Sequence, residues 1–342
     1  MKKDILEILR CPNCSSDFEV VVLAQDPLEI RRGRLRCNGP EHHEFEIEDG
    51  IVRFGTGFDH EAVQREIAYE NATYNGDQRL VQPDVISAFP ETLPQIWPHV
   101  RNFGPDFKDL IGSMTFRSSD WVLDVGTAAC WTTRLLAQTG ARVIALDVND
   151  ACYYGLKTAD LLFPVHSVYF DRILESMARL PFCNEAIDCI CFNASFHHTP
   201  DLFGTLQECF RVLKRGGRVA MVNESFVSWR HRFSWASGEM TDLGSHHSIS
   251  YSDLEKAIKA TGFMVQYRLA GHVRKMLEQL LTQRLGAAVA RLLSGCPFLL
   301  KQLKSIEVIL IKSGTTAKDA SRTRPRSLYQ TNEPRCAPCS TT

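Results

Sequence analysis

WVLDVGTAACWTTRLLAQTGARVIALD, residues Trp121 to Asp147, reads as strand, tight turn, helix and second strand. The apolar run Trp121–Val125 ends in Gly126, and a helical pattern then closes with Leu135, Leu136 and Ala137 before Gly140 stops it. The second apolar run, Val143–Leu146, delivers the carboxylate of Asp147. This is half of a doubly wound α/β unit, and its turn sets backbone N–H groups at the carboxyl edge of a sheet, where open α/β sheets bind ligands. A carboxylate at the tip of the next strand can accept both hydroxyls of a ribose.

A dinucleotide and S-adenosylmethionine both fit that layout. The dinucleotide fingerprint needs G-x-G-x-x-G, whose second glycine lets the backbone approach a pyrophosphate. Here Thr127, Ala128, Ala129 and Cys130 follow Gly126, so a pyrophosphate meets side chains. The order D-V-G-x-x-x-x-W-T-T, with Asp124 two residues before the glycine, resembles motif I of the class I S-adenosylmethionine-dependent methyltransferases. The family pattern D-x-G-x-G-x-G keeps its first glycine here, and Ala128 and Cys130 replace the other two.

Three further landmarks carry the resemblance. Asp147 is the ribose acid. Ser176-Met177-Ala178-Arg179-Leu180-Pro181-Phe182 resembles the D-A-x-x-L-P-F segment that meets the adenine, with Ser176 for Asp and Glu175 one place earlier as a substitute. Leu213-Lys214-Arg215-Gly216-Gly217 resembles the L-K-x-G-G turn. The resemblance covers about half the chain and implies a Rossmann-like seven-stranded α/β sheet with helices on both faces. It implies a cofactor site of Asp124, Gly126, Thr127, Ala128, Asp147, Val148, Ser176, Met177 and Asn193. Strand Ile187–Phe192 runs into Asn193-Ala194-Ser195-Phe196-His197-His198, which resembles the H-H motif of the quinone- and small-molecule-modifying branch. His197 and His198 are the candidate bases, since imidazole can take a phenol or amine proton. Glu224, His246 and His247 are further pocket candidates.

The 342 residues allow one large domain and a small one. A formal net charge of −1 supplies no global pull toward nucleic acid or membrane. The N-terminus lacks a signal-peptide core and no run of ~18 apolar residues occurs. With cysteines inside strands and at metal spacing, a reduced, cytoplasmic setting is expected. Residues 1–54 read as a separate zinc-ribbon-like unit: Cys11 and Cys14 at C-x2-C spacing, Cys37, and then His42 or His43. The segment resembles the ribbons of bacterial ribosomal RNA guanine methyltransferases and the free-standing zinc subunits that activate tRNA and protein methyltransferases. That resemblance implies His43 as the fourth ligand and structural zinc, which would supply much of the folding energy of so small a unit.

Residues 55–117 read as a helical and irregular cap, with a helix over Ala62–Tyr74. The methyltransferase domain spans 118–313, with helices over Asn149–Leu161, Thr199–Lys214 and Ser252–Thr261 and strands over His166–Phe170, Val219–Val222, Phe263–Leu269 and Ile306–Ile311. A basic amphipathic insertion, 271–304, is suited to membrane contact through 273–304, an apolar substrate, a second subunit, or its own domain. The tail 314–342 reads as disordered. Three functions fit: methyl transfer to a small or lipid-like acceptor, methylation of RNA gripped by Arg31, Arg32, Arg34 and Arg36, and a non-catalytic scaffold with a degenerate cofactor site. The near-zero charge and N-A-S-F in place of an N-P-P-Y-type motif favour the first.

Overall fold

The computed structural model describes residues 1–56, 60–75, 77–227, 249–280, 289 and 306–313. The N-terminal part supplies β1 (Phe18–Gln25), β2 (Ile30–Cys37), β3 (Glu44–Glu48) and β4 (Ile51–Arg53). The rest supplies β5 (Trp121–Val125), β6 (Arg142–Asp147), β7 (Asp171–Leu174), β8 (Ile187–Asn193), β9 (Leu213–Val222), the short β10 (Phe226–Val227) and β11 (Ile249–Ser250), β12 (Phe263–Leu269) and β13 (Ile306–Lys312). One mixed sheet has the order β1-β2-β3-β4-β7-β6-β5-β8-β9-β13-β12. β4, β7, β6, β5, β8 and β9 run parallel, and β13 lies antiparallel between β9 and β12. The arrangement is an α/β fold with a largely parallel central sheet, built because near-continuous apolar strands need cover on both faces. Leu123 and Val125 of β5 face one core and Val122 the other.

The sheet has eleven strands where seven are expected, because the N-terminal strands pair directly on to β7. Ile51, Val52 and Arg53 lie opposite Arg172, Ile173 and Leu174. The junction buries a charged network. Arg172, fully buried, donates to Glu29 Oε1 at 2.5 Å and to the Asp49 carbonyl at 2.8 Å, and pairs with Asp160 at 3.1 Å. The Met1 ammonium donates to Glu29 Oε2 and to the carbonyls of Ile30 and Gly50, each at 2.9 Å. Buried charges persist when paired and hydrogen-bonded in this way.

Several boundaries differ from the sequence reading. The helix expected over Asn149–Leu161 is replaced by a loop, one 3-10 turn (Leu156–Thr158) and a helix over Ala159–His166. Asn149 causes the delay: its side chain accepts Ala151 N–H at 3.0 Å, a local bond that competes with helix. His166 therefore ends a helix, Ser167 follows with φ 52, and the third strand starts at Asp171. The helix expected from Thr199 begins at Leu202, after Asp201 caps it by accepting Phe203 N–H at 3.1 Å, and ends at Val212. In the cap, a helix over His60–Glu70 passes into a π turn, Asn71–Asn75. The insertion opens as a helix, Gly271–Leu280, anchored to the cap helix Phe103–Gly112. Asp106 accepts His272 N–H and Nδ1–H at 2.7 and 2.6 Å, and Asp109 pairs with Arg274. Most of 281–304, the tail 314–342, and His246 and His247 lie outside the described residues. No helix among the described residues is long and apolar enough to cross a membrane.

Candidate active site and metal centre

The carboxyl ends of β7, β6, β5, β8 and β9 bring Glu175, Asp147, Gly126, Asn193 and Glu224 to one edge. Gly126 N–H donates to Leu146 O at 2.8 Å and Glu175 N–H to Asp147 O at 3.1 Å, which locks neighbouring tips together. Gly126 has φ +70, and a Cβ there would stand 2.5 Å from the Ser195 Cβ. Ser195 Oγ donates to the Val125 carbonyl at 2.6 Å, so the first turn and the end of β8 touch.

Ala128 and Cys130 adopt φ 45 and 54. These are the two positions where the family pattern has glycine, so the loop keeps a glycine-like path while carrying side chains. Left-handed backbone costs a non-glycine residue roughly 1–2 kcal/mol. The path sets Ala128 N–H on Asp147 Oδ2 at 2.9 Å, while Asn149 N–H meets Oδ1 at 2.9 Å. Asp147 is raised above the usual carboxylate range by burial, opposed by these N–H groups. The backbone N–H groups of Thr127 and Val148 bear on the same carboxylate, so the loop after β5 and the tip of β6 hold it from both sides.

Asp124 is buried under the loop. Its Oδ2 accepts the hydroxyls of Thr132 and Thr133 at 2.7 and 2.6 Å, which fastens β5 to the helix Trp131–Ala137. Burial pushes it up to about 6 against those two hydroxyls. Thr127 is buried, with Oγ1 3.5 Å from the Cys130 sulfur, and burial pushes that thiol up to about 12. Val148 is half-buried beside Asp147. Ser176 Oγ accepts Ala178 N–H at 3.2 Å, and Met177 packs partly buried against the core. Asn193 Oδ1 accepts Asn223 Nδ2–H at 2.8 Å.

Glu175 does not stand in for the adenine carboxylate. It is fully buried, and it accepts Thr56 N–H and Oγ1–H at 3.1 and 2.8 Å and Ser176 N–H at 2.7 Å. It therefore ties the chain leaving β4 to the Ser176 turn. The other side of that turn is also held by the N-terminal part: Arg10 N–H donates to Pro181 O at 2.9 Å and Cys183 N–H to Ile8 O at 2.8 Å. No sequence signal announced either link.

His197 and His198 lie on a 3-10 turn, Phe196–His198, with ring centroids 4.3 Å apart. Glu224 organises it. Oε1 accepts Ser195 and Phe196 N–H, each at 2.9 Å, and Oε2 accepts His197 N–H at 3.2 Å and Nδ1–H at 2.9 Å. With four donors its acceptor positions are filled, so Glu224 is a positioning group rather than a base. Through Nδ1 it fixes the orientation of the His197 ring.

The second centre is at the ribbon. Cys11, Cys14, Cys37 and His43 bring their ligand atoms within 4.8 Å of one another. The Cys14–Cys37 sulfurs are 3.4 Å apart, and His43 Nδ1 lies 3.7 Å from Cys11 Sγ and 3.6 Å from Cys37 Sγ. A tetrahedron with metal–sulfur bonds of ~2.3 Å has edges of about 3.8 Å, so the donor set fits zinc. A Cβ on Gly39 would come within 2.8 Å of Cys14 Sγ, which keeps the cradle clear. His43 Nε2 meets Glu41 at 2.8 Å, the outer carboxylate common behind ligating histidines. His42 is exposed and outside the cluster. Burial pushes the Cys11 thiol up to about 12; at Cys14 burial is outweighed by hydrogen bonds with Ser16, Cys37 and His43, which bring it down to about 6.

Three of the four arginines of β2 take part in ion pairs. Arg32, Arg34 and Arg36 share the exposed face, and Arg34 and Arg36 lie opposite Glu46 and Glu44 of β3. Arg36 pairs with Glu44 at 2.7 Å and Arg34 with it at 3.7 Å, while Arg31 pairs with Glu29 and Asp160.

Residues 123–221 match the family model described as a methyltransferase domain. A probable S-adenosylmethionine-dependent methyltransferase of Mycolicibacterium smegmatis is 25% identical over 147 residues, covering 42% of this chain and 52% of that protein. The mitochondrial ubiquinone biosynthesis O-methyltransferase of Bos taurus is 27% identical over 161 residues, covering 42% of this chain and 41% of that one. Malonyl-[acyl-carrier protein] O-methyltransferase 1 of Coxiella burnetii is 35% identical over 98 residues, covering 28% and 30%. The chain spans about half or less of the length of these relatives. Among solved structures, the YcgJ protein of Bacillus subtilis superposes with a TM-score of 0.45 at 17% identity, over 62% of this chain and 100% of that one. Geranyl diphosphate C-methyltransferase of Streptomyces coelicolor gives 0.45 at 15% identity, over 73% and 97%.

Proposed function

We propose that this protein is an S-adenosylmethionine-dependent methyltransferase acting on a small or lipid-like acceptor. The observation that carries the reading is the left-handed loop Gly126–Cys130 laid on Asp147, inside the segment that matches the methyltransferase domain model. The residues fit the cofactor: the Asp147 carboxylate stands at the tip of β6 beside the Gly126–Cys130 loop, the place expected for a ribose, and Ser176 and Met177 follow the end of the neighbouring β7, the side expected for adenine. S-adenosylmethionine supplies a methyl group already activated by its sulfonium for in-line displacement. The chain's own work is alignment and water exclusion. His197 takes the acceptor proton at Nε2, with Glu224 holding the ring, which suits a hydroxyl or amine acceptor. The O-methyltransferases among the relatives support that class.

Cys11, Cys14, Cys37 and His43 hold zinc in a structural role. The RNA reading is weaker than the sequence suggested, because β2's Arg34 and Arg36 are paired with glutamate rather than left for phosphate. Calorimetric titration of the full chain with S-adenosylmethionine and with NAD tests the proposal. Binding of the former alone, lost in Asp147→Ala, is expected. A folded chain that binds neither overturns it and favours the scaffold reading.

A further inference from the structure

Two asparagines at the ends of neighbouring strands fix each other. Asn193 closes β8 and lies in register with Val222, the last residue of β9. Asn223 follows with φ 60, a left-handed conformation that asparagine tolerates better than most residues. Its Nδ2 donates to the Phe103 carbonyl at 3.2 Å and to Asn193 Oδ1 at 2.8 Å. The two strand tips are also tied by Ala194 N–H on the Val222 carbonyl at 3.0 Å.

The two ends of an amide are told apart by their partners. Phe103, the first residue of the cap helix Phe103–Gly112, offers a carbonyl, which only accepts. The end of Asn223 that meets it is therefore the NH2, whose second hydrogen goes to Asn193. It follows that Asn193 faces Asn223 with its oxygen and turns its own NH2 away. That NH2 has no hydrogen-bond partner among the described residues. Asn193 is half-buried at the carboxyl edge, between the Gly126 turn that ends β5 and the Glu224 end of β9. An amide whose oxygen is already engaged meets a ligand as a donor. An amine substrate needs the reverse, because its N–H groups have to be held by oxygen while its lone pair attacks.

We propose that Asn193 presents its NH2 to an oxygen of the methyl acceptor, that Asn223 is the positioning residue that turns it that way, and that the acceptor is therefore a hydroxyl rather than an amine. This rests on the methyltransferase reading and narrows the acceptor class within it. It moves Asn193 from the cofactor, where the sequence resemblance puts it, to the acceptor. It also gives the cap a part in specificity, since the Phe103 carbonyl sets the orientation of Asn193 through one intermediate side chain.

The test gives the full-length protein S-adenosylmethionine labelled in its methyl group, with matched acceptors: catechol and ortho-phenylenediamine, phenol and aniline, para-octylphenol and para-octylaniline. Methyl transfer to the oxygen members over their nitrogen twins is expected. Asn223→Asp keeps a residue suited to φ 60 but removes both donors. Asn193 then turns its NH2 toward the new carboxylate and shows its oxygen to the edge. KM for the oxygen members should rise about tenfold, the worth of one hydrogen bond at such a site, while KM for the nitrogen twins does not. A merely structural role would slow both members of a pair alike. The orientation is also read without turnover, in protein carrying isotope-labelled asparagine. The Asn193 amide signal, assigned with Asn193→Asp, should shift with catechol and not with ortho-phenylenediamine. Preference for the nitrogen twins, equal effects of Asn223→Asp on both members, an amide signal indifferent to catechol, or a chain that binds S-adenosylmethionine yet turns over no oxygen member each overturns the proposal. A chain that does not bind S-adenosylmethionine sinks the methyltransferase reading first, and the acceptor class falls with it.

Discussion

Ala128 holds φ 45 with a side chain that the backbone does not want. Because a glycine adopts that conformation freely, Ala128→Gly should stabilise the protein by about 0.5–1 kcal/mol, read as a rise in urea midpoint, with cofactor affinity kept. Cys130 is a poorer test of the same idea, since its buried sulfur fills space that glycine would empty. Gly126→Ala has the opposite sign. It combines φ +70 with a Cβ 2.5 Å from Ser195, so a loss of roughly 2–4 kcal/mol is expected. Glu307 offers a pH-dependent case. It is fully buried, neither carboxylate oxygen has a hydrogen bond, and Arg268 stands 3.4 Å away. Burial pushes it from 4.5 up to about 7, with Arg268 opposing and Asp109 and Asp106 adding to the rise. The folded state therefore keeps a proton that the unfolded chain has already released. Stability from this group is full below about 4.5 and is lost as pH rises through about 7. Glu307→Gln mimics the protonated form, so its advantage over the parent should grow by up to about 3 kcal/mol between pH 5 and pH 8. Equal urea curves for the two proteins at both pH values would contradict this.

At the level of elements, the turn after β8 depends on a carboxylate from the end of β9. Glu224→Gln replaces an acceptor of four N–H groups by an amide that cannot accept all of them. If His197 is the base, turnover should fall ten- to a hundredfold while cofactor Kd changes little, because Asp147, the proposed ribose partner, sits on a different strand. A variant that loses cofactor binding in the same proportion would assign Glu224 a purely structural role. The sequence disclosed these elements unevenly. The strand–turn–helix–strand of 121–147 and strands β8 and β12 were legible because apolar runs and stopping glycines are local signals. The loop after Asp147 was not, because a single asparagine side chain diverted a helical pattern that continues in composition. Among site residues, Asp147 and the Cys11, Cys14, Cys37 and His43 cluster were marked by spacing. Glu175 was misread, since its partner Thr56 is 119 residues away and no pattern connects them.

Across the whole molecule, the Cys11–His43 cluster and the carboxyl edge of the parallel strands are mechanically close. The chain beside Cys11 bonds the segment Pro181–Cys183, and the chain after β4 reaches Glu175 next to Ser176. Both ends of the segment from Glu175 to Cys183 are thus gripped by the N-terminal part. Chelation of zinc should lower the melting temperature in a single transition rather than melt the ribbon alone. It should also weaken S-adenosylmethionine binding several-fold. Two separate calorimetric transitions, with the second unchanged by chelator, would argue against the coupling. Chain length and the Cys11–His43 spacing read as a small unit separate from a larger one; pairing between β4 and β7 is non-local and leaves no trace in either segment alone.

That pairing also bears on anyone wishing to shorten the protein. A cut after Phe54 would look safe on sequence grounds, yet it would strip β7 of its neighbour and turn an interior strand, Asp171–Leu174, into a bare rim. Arg172 would lose Glu29 and the Asp49 carbonyl and keep Asp160 alone at that rim. The severed remainder would behave as a sticky fragment, not as a smaller version of the same fold.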